Sequence, residues 1–467
     1  MSARERAVEF VRRYRWPLGI ALAALLVRLV WNLWVHPPAD FVYSDMDTYV
    51  SRARALVADP LRRDPNETFF PVGTHYLLAA TMALFRTSSL LPATLLWAVM
   101  GAALAPIGYF LTGRLHGGPA WRDVGDAPKK AAPKEDASKE DERATLIARV
   151  AGTVLVVYYP LLSYTGYFLS ETPFALCLTL AALLTLRVAD HGRARDAWLL
   201  GATLALGTLF RSQMLAVLPL LALVGLLRWR ELPELRRPRV VAAIVVPVLA
   251  VLAFNLALTH YHTGRATPIA QNAALNRAFG RCHCYELRTR DASWGPPPLG
   301  ELHRRGEANP NSFPKLNPAI TPVLQVKTRM IDEPKIHELA DRCIREGGWG
   351  KQLYYGMTHV LLLWGYSPAW PDMGVPEYRP LMQGGTRAHL FAFALPSLIA
   401  LGLCVKRARA RLALMVAFVL SLFVVVLRYM GDARLRVPYD AVWIAVALHV
   451  YATVVPVTLA RWRRPKK

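Results

Sequence analysis

The chain has 467 residues, of which 54% are hydrophobic and 19% charged. Soluble domains run nearer ~25% charged, so this balance excludes an ordinary soluble enzyme and predicts a protein that crosses a membrane several times. The formal net charge of +23 would suit nucleic acid in a soluble protein. Here Arg and Lys fall in short tracts between apolar runs, the positive-inside pattern, and nucleic acid is not an expected partner.

The N-terminal "MSARERAVEFVRRYRW" is basic and leads into a first apolar span at 16–35. "WVHPP" follows that span in place of a small-residue cleavage site, so it reads as retained. "SDMDTY", residues 44–49, then emerges on the outer face. "DTYVSRARALVA" is too charged, and "VGTHYLLAATMALF" too short, to cross a hydrocarbon core that needs ~20 apolar residues. Both are predicted to be helices lying in the interface.

A second span at 90–112 leads into 113–145, where "APKKAAPKEDASKEDER" cannot bury a core and reads as a disordered cytoplasmic linker. Spans at 146–162, 173–189, 196–210, 212–228 and 239–258 follow. After a long outer segment, spans at 388–405, 412–428 and 440–459 complete the chain. Ten spans place every strongly basic tract, and both termini, on the cytoplasmic side. The chain thus divides into an N-terminal membrane module, 1–260, with a first outer loop at 36–89; an extracytoplasmic segment, 261–386; and C-terminal membrane helices, 387–467.

Ionisable groups at membrane depth are costly, and those that persist there mark function. Asp45 and Tyr49 are four apart and share a helix face. A carboxylate there suits a general base or a metal ligand; the alternative is a helix cap by Ser44 or Asp45. Glu171, in "LSETPF", also reads as a helix start with Pro173 in the first turn, yet it shares the outer face with Asp45. Arg211 interrupts a long apolar tract. It either snorkels to phospholipid or grips a phosphate in bidentate fashion.

In "GDARLRVPYD", Arg434 and Arg436 run against the positive-inside trend. Asp432, Arg434 and Tyr439 there suit an anionic or sugar group, or else an ion-paired loop. His75 alone reads as a packed or solvated side chain. Cys282, His283 and Cys284 are too closely spaced to wrap a tetrahedral metal. A disulfide from this tract to Cys343 and free thiols both stay open. Neither a P-loop, nor a dinucleotide fingerprint, nor a Ser-hydrolase elbow occurs.

Four pieces in co-linear order carry a family resemblance. They are "SDMDTY", "TFFPVGTHYLLA", "YYPLLSYTGYFLSETPFALCLTL" running into "GATLALGTLFRSQ", and "GDARLRVPYDAVWIAVAL". The chain resembles the membrane glycosyltransferases of the GT-C class. It is similar in particular to bacterial family-39-like relatives of the dolichyl-phosphate-mannose protein mannosyltransferases and of the lipid A aminoarabinose transferase.

The resemblance implies an all-α polytopic bundle in the cytoplasmic membrane and a polyprenyl-phosphate-linked sugar donor. It implies inverting transfer to a hydroxyl of a glycan, lipid or protein acceptor on the outer face. Asp45, Asp47 and Glu171 take the catalytic positions, and would hold a divalent cation if one is used. Arg211, Arg434 and Arg436 take the donor-phosphate positions, and Tyr49, His75 and Tyr439 the substrate-contact positions. Many relatives carry adjacent Asp-Glu where this chain has Asp45, Met46 and Asp47.

A polymerase or ligase using a lipid-linked glycan would share this chemistry. A transporter or flippase would instead place ionisable or Gly/Pro-broken positions within spans of repeated halves. Here the ionisable groups gather at the outer ends, and no internal repeat appears.

Overall fold

The computed structural model describes residues 3–117, 134–282, 287–291, 293–294, 324–364, 370–372, 375–407 and 410–462. In chain order the first helices are α1 (Ala3–Val30), α2 (Asp45–Ala58), α3 (Gly73–Phe85), α4 (Leu91–His116), α5 (Lys134–Val157) and α6 (Tyr159–Thr165). Next come α7 (Glu171–His191), α8 (Ala194–Phe210), α9 (Val217–Leu227), α10 (Pro238–Thr263) and α11 (Asn272–Cys282). After them lie α12 (Glu333–Leu362), α13 (Arg379–His389), α14 (Leu395–Arg407), α15 (Ala410–Arg428), α16 (Ala433–Arg436) and α17 (Asp440–Trp462). Among the described residues, three two-residue strands, β1 (Leu287–Arg288), β2 (Ser293–Trp294) and β3 (Leu324–Gln325), pair in the order β2-β1-β3.

Among the described residues, five stretches are long and apolar enough to cross a membrane: Tyr14–Val35, α4, α7, α10 and α15. A sixth is the bent pair of α5, from Glu142, with α6. The remaining expected spans are helical too, but α8 and α9 are 17 and 11 residues long, short of the ~20 that a full crossing takes. Leu18, Leu22, Leu26 and Val30 on α1, and Val241, Val245 and Leu249 on α10, form exposed apolar stripes at four-residue spacing. Stripes of that length need an apolar cover, which a bilayer supplies. The protein is a polytopic, nearly all-helical membrane protein.

Of the expected linker, 113–116 ends α4 and 134–145 begins α5, while 118–133 lies outside the described residues. The charged and the short apolar segments of the first outer loop form α2 and α3, 14 and 13 residues long.

The bend between α5 and α6 is 47°. Pro160 causes it: it lacks the N–H that would bond to the Val156 carbonyl. Arg28, fully buried on α1, fills the gap. Its Nη1 donates to the Val156 carbonyl at 3.1 Å and its Nη2 to the Leu155 carbonyl at 3.0 Å. A buried cation thus satisfies two carbonyls that the broken helix leaves open. Around this joint, Trp97, Tyr164 and Phe168 belong to one core; Phe174, Phe418 and Trp443 belong to a second, around α7, α15 and α17.

A disulfide joins Cys282, the last residue of α11, to Cys343 in α12. This settles the open reading of the cysteine tract for Cys282; His283 and Cys284 lie outside the described residues. The bond closes a loop with a sequence separation of 61, so Cys343→Ser is expected to destabilise this segment by about 2–4 kcal/mol. Thermal melting under non-reducing conditions, with limited proteolysis of the outer segment, reads the loss.

Candidate active site

The site is built where α2 and α7 begin, where α8 ends, and on the short α16. Ser44 precedes α2 with φ 53°, so it is a non-glycine residue in a left-handed conformation. Asp45 follows as the first residue of α2, and its Oδ2 accepts from Arg434 Nη1 at 2.9 Å. Arg434 Nε donates to Glu171 Oε1, and Arg211 Nη2 lies 3.1 Å from the same oxygen. Glu171 is almost fully buried at the start of α7, where the helix N-terminus favours negative charge.

Asp432 sets Arg434 in place. Its carboxylate caps α16 by accepting the Arg434 backbone N–H at 2.9 Å. Burial works against the charge on Arg434, but Glu171 and Asp45 outweigh it and hold the guanidinium protonated. Trp370 lies under this guanidinium, 4.6 Å from ring centre to Cζ.

Asp45, Tyr49, Arg211, Gln213, Asp432 and Arg434 line a cavity of about 530 Å³. Phe70, Phe210, Leu215, Val424 and Val425 also line it. The lining therefore offers both charged groups and apolar surface.

Four residues singled out in sequence thus meet: Asp45, Glu171, Arg211 and Arg434. Tyr49 joins them as a buried wall residue, against Phe70 and stacked over His75. Four others stand apart. Asp47 is exposed, with Ser51 Oγ at 3.5 Å; two residues along a helix turn it about 200° from Asp45. His75 lies behind Tyr49 and faces Glu67, with Nε2 2.8 Å from Glu67 Oε1; burial pushes this imidazole down. Tyr439 sits one layer back, its hydroxyl accepting from Gln213 Nε2 at 3.4 Å. Arg436 is fully buried 3.5 Å from Asp440. It belongs to a second cluster in which Asp440 also meets Tyr158 (2.8 Å) and His389 (3.0 Å).

The segment between α12 and α13 reaches the cavity through residues 370–372. Asp372 is buried and accepts from Tyr159, Ser163 and Tyr167 at 2.9, 2.7 and 3.0 Å. Burial pushes its carboxyl up to about 6 despite these donors. The Trp370 carbonyl accepts from the Tyr164 hydroxyl at 2.7 Å. This clasp fixes Trp370 on Arg434. Sequence reasoning missed both residues; aromatic and acidic residues in a long polar segment carry no periodic signal.

A divalent cation would have to share Asp45 and Glu171 with Arg434. Asp47 is turned away, and among the described residues no group of three His, Cys, Asp or Glu side chains could hold a metal ion. The described residues do not fit the expected cation set.

No protein-family model and no curated protein matches the sequence. Solved structures are similar in overall fold. One is the archaeal oligosaccharyltransferase AglB from Archaeoglobus fulgidus in complex with an inhibitory peptide and a dolichol-phosphate (TM-score 0.49, 13% identity, 98% of this chain and 53% of that one). Another is the oligosaccharyltransferase of the same organism tethered to an acceptor peptide (TM-score 0.45, 12% identity, 98% and 52%). A third is its apo form (TM-score 0.42, 12% identity, 97% and 52%). The chain spans about half the length of these structures.

Proposed function

We propose that the protein is a GT-C-type glycosyltransferase. In this reading it moves a sugar from a polyprenyl-phosphate donor to an acceptor hydroxyl on the outer face of the cytoplasmic membrane, with inversion. The observation that carries the reading is the meeting of Asp45, Glu171, Arg211 and Arg434 at a cavity lined by both charged and apolar side chains.

The acceptor hydroxyl gives its proton to Asp45 as its oxygen bonds to the sugar C1. The C1–O bond to phosphate breaks, and the phosphate leaves with the electron pair. Arg211 and Arg434 stabilise the charge that develops there. Arg211 keeps a buried Nη1 with no protein partner among the described residues, which leaves a donor for that phosphate. Glu171 holds both guanidinium groups, and the apolar lining residues take the first isoprene units.

Two measurements test this. Surface glycans and glycolipids compared by mass spectrometry, with and without the protein, should differ by one sugar on one acceptor. An unchanged profile, with no transfer from any polyprenyl-phosphate sugar, overturns the reading. Arg211→Ala is expected to lower use of the lipid donor by about 10–100-fold, the loss of one charge-assisted contact. An unchanged dependence on donor concentration contradicts its phosphate role.

A further inference from the structure

α11 gives each of its faces a separate task. Ala274 and Ala278 pack on Ile336 and Ala340 of α12, and Leu275 and Phe279 enter the main core. Asn272 and Asn276, one turn apart, line the cavity. Among the described residues, neither amide has a side-chain hydrogen bond within the protein.

The helix is held at both ends. The backbone N–H groups of Gln271 and Asn272 donate to the carbonyls of Thr68 and Phe69 at 3.2 and 2.9 Å. The Cys282–Cys343 disulfide ties its last turn to α12. At Gly280 the helix presses on the end of α15, where a Cβ would stand 2.3 Å from the Tyr429 carbonyl oxygen. The two amides therefore stand on a rigid wall, which lowers the cost of ordering them around a ligand.

Each amide carries two donor hydrogens and one acceptor oxygen and no charge. Residues one turn apart hold their Cβ atoms about 5–6 Å from one another, a spacing that suits two hydroxyl groups of a single sugar ring. The charged cluster of Asp45, Glu171, Arg211 and Arg434 suits the reacting phosphate; uncharged, unpaired amides suit hydroxyl groups. We infer that Asn272 and Asn276 form a hydroxyl-reading subsite that selects the sugar ring by its hydroxyl pattern. The inference rests on the transferase reading. The ring belongs either to the donor or to a glycan acceptor, and the chemistry is the same for both. A site that hydrogen-bonds a hydroxyl discriminates strongly against a ring lacking it there, because the amides are then left unpaired.

The test measures binding by the full-length protein in nanodiscs, unmodified and as Asn272→Ala and Asn276→Ala. Neither amide has a protein partner, so both variants should melt with the unmodified protein. The probes are polyprenyl phosphate without sugar, polyprenyl-phosphate mannose, glucose and galactose, and free manno-, gluco- and galacto-oligosaccharides. The expected result is unchanged binding of sugar-free polyprenyl phosphate and about tenfold weaker binding of the preferred sugar probe in each variant, the loss of one or two hydrogen bonds. Weakening confined to the lipid-linked sugars assigns the subsite to the donor; weakening confined to free oligosaccharides assigns it to the acceptor. Equal weakening of every probe, or weakening of none, overturns the subsite. Binding of polyprenyl phosphate no better than phosphatidylglycerol by the unmodified protein instead overturns the transferase reading, and the oligosaccharide probes then decide the subsite alone.

Discussion

Asp45→Asn is expected to cut sugar transfer by about 10²–10⁴-fold, the usual contribution of a positioned general base. The amount of protein in the membrane should stay the same. The carboxamide matches the carboxylate in shape and can still accept from Arg434 Nη1 through its oxygen, so the wall of the cavity is kept. What it cannot do is take the hydroxyl proton. Asp47→Asn is the matched control: that side chain is exposed and outside the cavity, and transfer should stay within about twofold, as for surface substitutions away from special features. Retained transfer in Asp45→Asn removes Asp45 as the base.

Arg434→Met is expected to abolish transfer and to weaken the fold together. It removes the cation shared by Asp45 and Glu171. Breaking a buried pair by deleting one partner costs about 3–5 kcal/mol. Arg211 still serves Glu171 from 3.1 Å, which keeps the cost toward the lower end. The double variant Arg434→Met with Asp45→Asn neutralises the carboxylate left without a cation, since Glu171 keeps Arg211. It should recover most of the melting temperature of the solubilised protein while transfer stays lost. Recovery of both would make Arg434 a structural residue alone and remove Asp45 as the base; recovery of neither would point to a wider collapse around α16.

The site residues legible in sequence share one trait. Each is an ionisable group at the end of an apolar run, on the side of the bundle opposite to the basic tracts. That trait picked out Asp45, Glu171, Arg211 and Arg434 and the order of the helices around them. It failed where helix phase decides: Asp47 and Arg436 each stand two residues from a site residue, and both point elsewhere. It was blind to long-range pairing. Trp370 meets Tyr164 across a separation of 206 residues, and Asp372 meets Tyr159 across 213. Arg28 was hidden for another reason: its partners are backbone carbonyls exposed only because Pro160 breaks the helix.

The bridging position of Arg434 also has a consequence for the order of events. Asp45 and Glu171 together carry two negative charges and Arg211 with Arg434 two positive ones, so these four side chains balance one another before Asp432 is counted. A sugar phosphodiester brings one negative charge and leaves as a monoester with a second. If Asp45 takes the acceptor proton, the cluster turns more positive by one at the moment the phosphate turns more negative by one. The Nη1 hydrogen that Arg434 had directed at Asp45 is then freed for the departing phosphate. Proton uptake on one side and bond cleavage on the other would be joined through one guanidinium.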